Sequence, residues 1–193
     1  MKAVNLLRTF CCLAVVSAML LCGSNSQART FEKTEFSDRI TVGDQKLPLR
    51  GVALMRWLKT LRVYVAALYL PEGTKPEQVQ EDIPKRLEIS YLMSFKSTDF
   101  GKGAEPVLMR NNSAQVMSSL RKRIDRLNAA YKEVKPGDRY TLTYQPGRGT
   151  ELALNGTPVI TIEGADFAAA YFGVWLGMEP LDENLKADLL KKR

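Results

Sequence analysis

The period of the apolar positions changes repeatedly along the chain, and each change marks a predicted element. Arg39 to Leu49 reads as a short hairpin turning at Gly43 and Asp44. Leu61 to Leu70 is β-branched and aromatic and closes at Pro71, which predicts a strand. Pro76 to Ile83 reads as a short crossover helix, with Pro76 placed where its missing N–H is harmless and Pro84 as its stop. Beyond it Leu87, Ile89, Tyr91, Met93 and Phe95 alternate with Glu88, Ser90 and Ser94, the period of a strand with one buried face.

From Ser97 the pattern turns helical, but Gly101, Gly103 and Pro106 interrupt it, so a bent or two-piece helix is expected. Val116, Leu120, Ile124, Leu127 and Tyr131 recur at helical spacing behind Ser113, giving an amphipathic helix whose outer face carries Arg121, Lys122, Arg123 and Arg126. Past Pro136 and Gly137, the runs Tyr140 to Tyr144, Thr150 to Leu154 and Pro158 to Ile162 are short strands split by Pro146-Gly147 and Asn155-Gly156, a meander. Phe167 to Trp175 predicts a buried helix stopped by Gly177, and a last helix follows Pro180 to about Lys191. Runs of strands and helices segregated in this way predict an α+β fold, an antiparallel sheet covered on one face by helices. No linker or repeat divides residues 29–193, so one domain is expected there.

The start of the chain follows a different logic. Lys2 and Arg8 precede an apolar run from Phe10 to Cys22, followed by the small and polar stretch Gly23 to Ala28. This is the order of a secretory signal, and the run falls short of the roughly twenty residues that span a bilayer. Ser26 and Ala28 occupy the positions a signal peptidase reads, which predicts a signal peptide over 1–28 and a periplasmic mature protein. Leu21 stands where a lipoprotein signal at Cys22 would want a small residue.

All three cysteines, Cys11, Cys12 and Cys22, fall within that segment, and the chain has no histidine. Disulfides, Cys or His metal sites and Ser-His or Cys-His catalysis are thereby excluded from the mature domain, and neither a metal nor a cofactor is expected. The net charge of +7 loses two units with Lys2 and Arg8 and leaves a basic domain. A solvated basic face, or contact with an anionic membrane surface through the Arg121-Lys122-Arg123 run, fits this balance. The run lacks interleaved aromatics and any nucleic-acid motif, so no nucleic-acid partner is expected. The acidic groups Glu77, Glu81 and Asp82, and Asp182, Glu183 and Asp188, read as solvated helix faces.

Arg56, Lys59 and the run Val63 to Pro71 resemble the first core strands of bacterial chalcone isomerase-like proteins. The likeness continues at Pro84 to Glu88, Tyr144 to Leu154, Leu154-Asn155-Gly156, Gly164 to Phe167, and Trp175 to Gly177. It implies an open-faced β-sandwich with a ligand cleft between the sheet and its helices. Within that superfamily some members close a flavonoid ring and others bind fatty acids without chemistry, so the site must decide. The resemblance places Arg56 at the anion position, where a guanidinium would clamp a carboxylate or stabilise an enolate. It places Tyr64 where the enzymes carry a catalytic threonine. Phe100 and Val107 fall where the enzymes carry a tyrosine and an asparagine, with Asn111 and Asn112 one turn further on.

The expected site is therefore Arg56, Tyr64, Phe100 and Asn111, holding a fatty-acid-like or other hydrophobic anion. Isomerisation of an enone, as an intramolecular lyase, is the alternative, and a non-catalytic envelope interaction protein is a second. The mature chain should begin at Arg29 in the periplasm; N-terminal sequencing checks this, and an acylated Cys22 or an intact Met1 in the membrane fraction would contradict it.

Overall fold

The computed structural model describes residues 28–191, so the leader segment on which export is read lies outside the described residues. Seven antiparallel strands follow one another in sequence order across one sheet: β3 (Arg39–Val42), β4 (Gln45–Trp57), β5 (Leu61–Tyr69), β6 (Lys85–Tyr91), β7 (Arg139–Gln145), β8 (Gly149–Leu154) and β9 (Thr157–Ile162). Helices α1 (Ser97–Asn111) and α2 (Ala114–Ala130) are inserted between β6 and β7, and α3 (Ala165–Leu176) and α4 (Glu183–Leu190) follow β9. A separate hairpin, β1 (Ala28–Phe31) and β2 (Thr34–Ser37), precedes the sheet.

The period-two pattern decides which side each strand residue faces. On β5, Tyr64, Ala66 and Leu68 join the large core under the helices, while Val65, Ala67 and Tyr69 join a smaller core with Phe36 and Leu47. The sheet thus buries both faces around β5, one under helices and the other beneath the β1–β2 hairpin, which the sequence pattern did not mark. For the same reason β6 is buried on both sides, not one: Glu88 and Ser90 are enclosed on the face opposite Leu87 and Ile89. Glu88 is held there by Arg86 and Arg139.

Three elements differ from their sequence patterns. Pro76 to Ile83 is not a helix but a single 3-10 turn, Pro76–Gln78. The strand expected through Phe95 ends at Tyr91, and Phe95 makes only an isolated bridge to Val134. Helix α1 is continuous through Pro106, which sits on its exposed side, while Gly101 lies where α1 approaches α2 and a Cβ would stand 3.0 Å from Asn128. Asp182, read as part of a solvated face, instead caps α4 by accepting the Leu185 N–H at 2.7 Å.

Two contacts fix how the layers meet. Gly51 on β4 faces the carboxyl end of α4, where a Cβ would come within 2.4 Å of the Asp188 and Leu189 carbonyl oxygens. The loop ahead of β6 is held from beneath by Lys85, fully buried, whose ammonium donates to the carbonyls of Val79 at 2.7 Å and Glu81 at 2.8 Å. The rings of Tyr144 and Phe172 lie 5.6 and 5.7 Å from it, and Tyr144 donates its hydroxyl to Asp82.

Because both atoms facing Gly51 are backbone, Gly51→Ala should lower stability by about 1–3 kcal/mol, read as a shift of the urea midpoint at constant slope. Burial draws the Lys85 ammonium down from 10.5 to about 8, with Asp82 and Glu81 opposing. Between those values the unfolded chain binds a proton that the folded chain has released, so stability should rise with pH from about 8 toward 10. Buried tyrosines reverse the trend above about pH 10, since their ionisation is pushed upward in the fold. Lys85→Met should abolish the rise and lower stability at pH 7 by roughly 1–3 kcal/mol, the cost of two carbonyls losing their donor; denaturation across the pH range checks both.

Candidate functional site

Between the helix-facing side of the sheet and helices α1 and α3 lies a cavity of about 210 Å³. Strand alternation supplies its floor: Met55 and Trp57 from β4, Tyr64 from β5, Ile89 and Tyr91 from β6, Tyr140 and Leu142 from β7. Tyr64 and Tyr91 are direct cross-strand partners, with ring centroids 6.0 Å apart at 67°. A shift of register between Met55 and Arg56 lets the consecutive residues Val63 and Tyr64 both line the cavity.

The helices supply the roof. Phe100 of α1 stacks on Tyr131 at 4.5 Å and 17°, and it meets Tyr91 and Tyr140 edge-on at 5.8 and 5.4 Å. Val174 and Trp175 of α3 close the far wall with Tyr171. Two lining residues, Trp57 at the end of β4 and Gly103 on α1, are exposed and mark the solvent-facing side of the cavity.

Five of the seven tyrosines line this space, so its polarity depends on what their hydroxyls do. Tyr64 accepts the indole N–H of Trp175 at 3.2 Å. Tyr131 and Tyr171 share a hydroxyl hydrogen bond of 2.9 Å. Tyr140 accepts the Lys132 N–H at 2.8 Å and donates to the Lys132 carbonyl at 3.1 Å. Only for Tyr91 is no partner found among these described residues. Burial raises the ionisation of all five, chiefly by desolvation, so they remain neutral at physiological pH. The sole charged lining residue is Asp99, half-buried, which accepts the Lys96 N–H at 2.9 Å at the start of α1.

Of the four residues expected from the sequence, the structure brings two together. Tyr64 and Phe100 are in the lining. Arg56 is exposed and outside it: Met55 and Trp57, its neighbours, take the positions that alternation turns toward the cavity, so the guanidinium is not among the lining groups. Asn111 is also outside the lining. It bonds the Val107 carbonyl at 2.9 Å and exchanges bonds with the Glu179 backbone, fastening the end of α1 to the turn before α4. Tyr91, Tyr131, Tyr140, Tyr171 and Asp99 were not singled out; the placement of Tyr91 and Tyr140 at core-facing positions of alternating strands was the available signal.

An antiparallel sheet closing an apolar, tyrosine-lined cavity under two helices defines a fold whose site is built for hydrophobic contact. The chain belongs to the chalcone isomerase-like family, which it matches over residues 28–191. Among solved structures it resembles a fatty-acid binding protein of Arabidopsis thaliana, at a TM-score of 0.60 and 18% identity, covering 85% of this chain and 96% of that one. A search of curated proteins gives no match.

Proposed function

We propose that the protein binds a single-chain amphiphile such as a fatty acid, holding the apolar chain in the cavity and leaving the anionic head at the mouth. One observation carries this reading: the cavity is lined by aliphatic and aromatic groups whose hydroxyls, Tyr91 apart, are already bonded to other protein groups. Such a space offers dispersion and desolvation, not charge. At about 210 Å³ it is also smaller than the roughly 300–1,000 Å³ of most small-molecule sites. The fatty-acid binding protein with the same fold supports the reading.

The head belongs at the mouth because a carboxylate carried inside would lose its hydration without meeting a cation. Lys102, the neighbour of Gly103 in the chain, is exposed. The unpartnered hydroxyl of Tyr91 gives the cavity one donor for a chain that bears a hydroxyl or carbonyl. Isomerisation of an enone is the weaker reading, because the developing enolate would face neutral phenols and a carboxylate instead of a guanidinium. We further propose export to the periplasm, on the leader sequence alone.

Gly103 provides a test that leaves the fold intact. No atom lies within 4 Å of where its Cβ would be, and it stands on the rim. Gly103→Trp should therefore cover the mouth and weaken a long-chain fatty acid by tenfold or more, about 1.4 kcal/mol, while α1 gains helix propensity. A displacement titration with a fluorescent fatty acid measures the affinity and a thermal melt the stability. Unchanged affinity would remove the cavity from the binding reading.

A further inference from the structure

The turn that joins β4 to β5 combines features that neither the fold nor the cavity requires. Leu58 and Lys59 both adopt the left-handed backbone, with φ of 49° and 64°. Non-glycine residues enter this region at a conformational cost, and it is rare for a branched apolar side chain. The same sheet turns elsewhere through Asn155 and Gly156 with φ of 50° and 79°, the residue pair suited to that geometry. The β1–β2 turn places the polar Glu32 and Lys33 in equivalent conformations. Backbone geometry therefore does not call for leucine at the tip.

Around this tip the side chains sort by chemistry. Trp57, Leu58 and Leu61 are 58%, 78% and 48% exposed. Among them stand the cations Arg56, Lys59 and Arg62, and Arg56 faces Arg62 directly across the two strands, a repulsive pairing. Glu32 neutralises Arg62, but no ion pair is found for Arg56 or Lys59 among the described residues. The basic face of α2 is quite different: Arg121 pairs with Glu105 and Asp125, Arg123 with Asp166, and Arg126 with Glu163. The arginines of the cationic run most conspicuous in the sequence are thus compensated within the protein, leaving Lys122 as its one unpaired cation among the described residues, whereas the hairpin tip keeps two charges open beside exposed indole and leucine side chains.

We propose that this hairpin tip docks on an anionic phospholipid bilayer, with Trp57, Leu58 and Leu61 entering the headgroup boundary and Arg56 and Lys59 meeting lipid phosphates. The combination is that of peripheral membrane anchors: an amphipathic aromatic ring, short apolar insertion and flanking cations. Among the described residues no helix is long and apolar enough to cross a membrane, so the contact is peripheral. Trp57 lines the cavity mouth as well, so docking brings the opening to the surface of the lipid. The docking surface stands on the hairpin itself; its use in loading or unloading a chain rests on the amphiphile reading above.

Co-sedimentation of residues 28–193, which carry every described element, with lipid vesicles tests the proposal and keeps the apolar leader from doing the binding. Vesicles of phosphatidylcholine containing roughly 30% phosphatidylglycerol should retain the protein about tenfold better than phosphatidylcholine alone, with the difference lost at high salt. The double substitution Leu58→Asn with Lys59→Gly suits the left-handed turn, should melt no lower than the wild type, and should lose most vesicle binding. Lys122→Gln on α2 should bind as the wild type does. Equal binding by the Leu58→Asn, Lys59→Gly protein would overturn the proposal, as would indifference of the wild type to anionic lipid or tip-dependent dimers formed without vesicle binding. The fatty-acid titration without vesicles separates the two readings: Leu58→Asn with Lys59→Gly should leave it unchanged, while Gly103→Trp should lose the fatty acid and still bind vesicles.

Discussion

Strand β5 must be dry on both faces, and the architecture follows from that constraint. Its residues from Val63 to Tyr69 are buried, alternating between two cores separated by one layer of backbone. A strand of this kind cannot sit in an ordinary two-layer sheet with one wet side. Helices cover Tyr64, Ala66 and Leu68, and the β1–β2 hairpin with Phe36 covers Val65, Ala67 and Tyr69. Arg139 binds this second cover to the sheet: it donates to the Glu35 carbonyl at 2.8 Å, contacts the Glu88 carboxylate at 3.2 Å, and lies 4.7 Å from the Phe36 ring.

The cavity on the helix side inherits its character from hydroxyl pairing. A buried phenol is a large apolar body with one polar atom that must be satisfied. Once Tyr64 has met Trp175, Tyr131 has met Tyr171, and Tyr140 has met the Lys132 backbone, what faces the void is ring surface. A space rich in nominally polar residues thereby behaves as an apolar one. Removing one partner of such a pair would leave the other unsatisfied in a low-dielectric setting, so these residues act as couples.

Much of the fold was legible in local pattern. The Gly43-Asp44 and Asn155-Gly156 turns, the alternation of β6 and β7 and the amphipathic stripe of α2 each state a period that packing then honours. The site was less legible, because its tyrosines converge from β5, β6, β7, the end of α2 and α3, far apart in the chain. Arg56 shows why residue type alone misleads: a guanidinium one place out of phase with Met55 and Trp57 is turned away by the pleat. The pairs of Arg121 with Glu105, Arg123 with Asp166 and Arg126 with Glu163 join residues sixteen to forty-three positions apart, which no short window along the sequence contains. The β1–β2 hairpin left no clear pattern because only Phe31 and Phe36 of its residues are large and apolar.

The placement of the two tryptophans gives the molecule an optical property. Trp57 stands in solvent at the cavity mouth, whereas Trp175 is enclosed in the wall, its indole bonded to Tyr64 and its ring 6.0 Å from that of Tyr171. Excitation absorbed by the surrounding phenols passes readily to an indole so near, so Trp175 collects the signal of the cavity while Trp57 senses the polarity outside it. The emission spectrum accordingly carries two separable reports, one blue-shifted from the interior and one red-shifted from the entrance, without any added label.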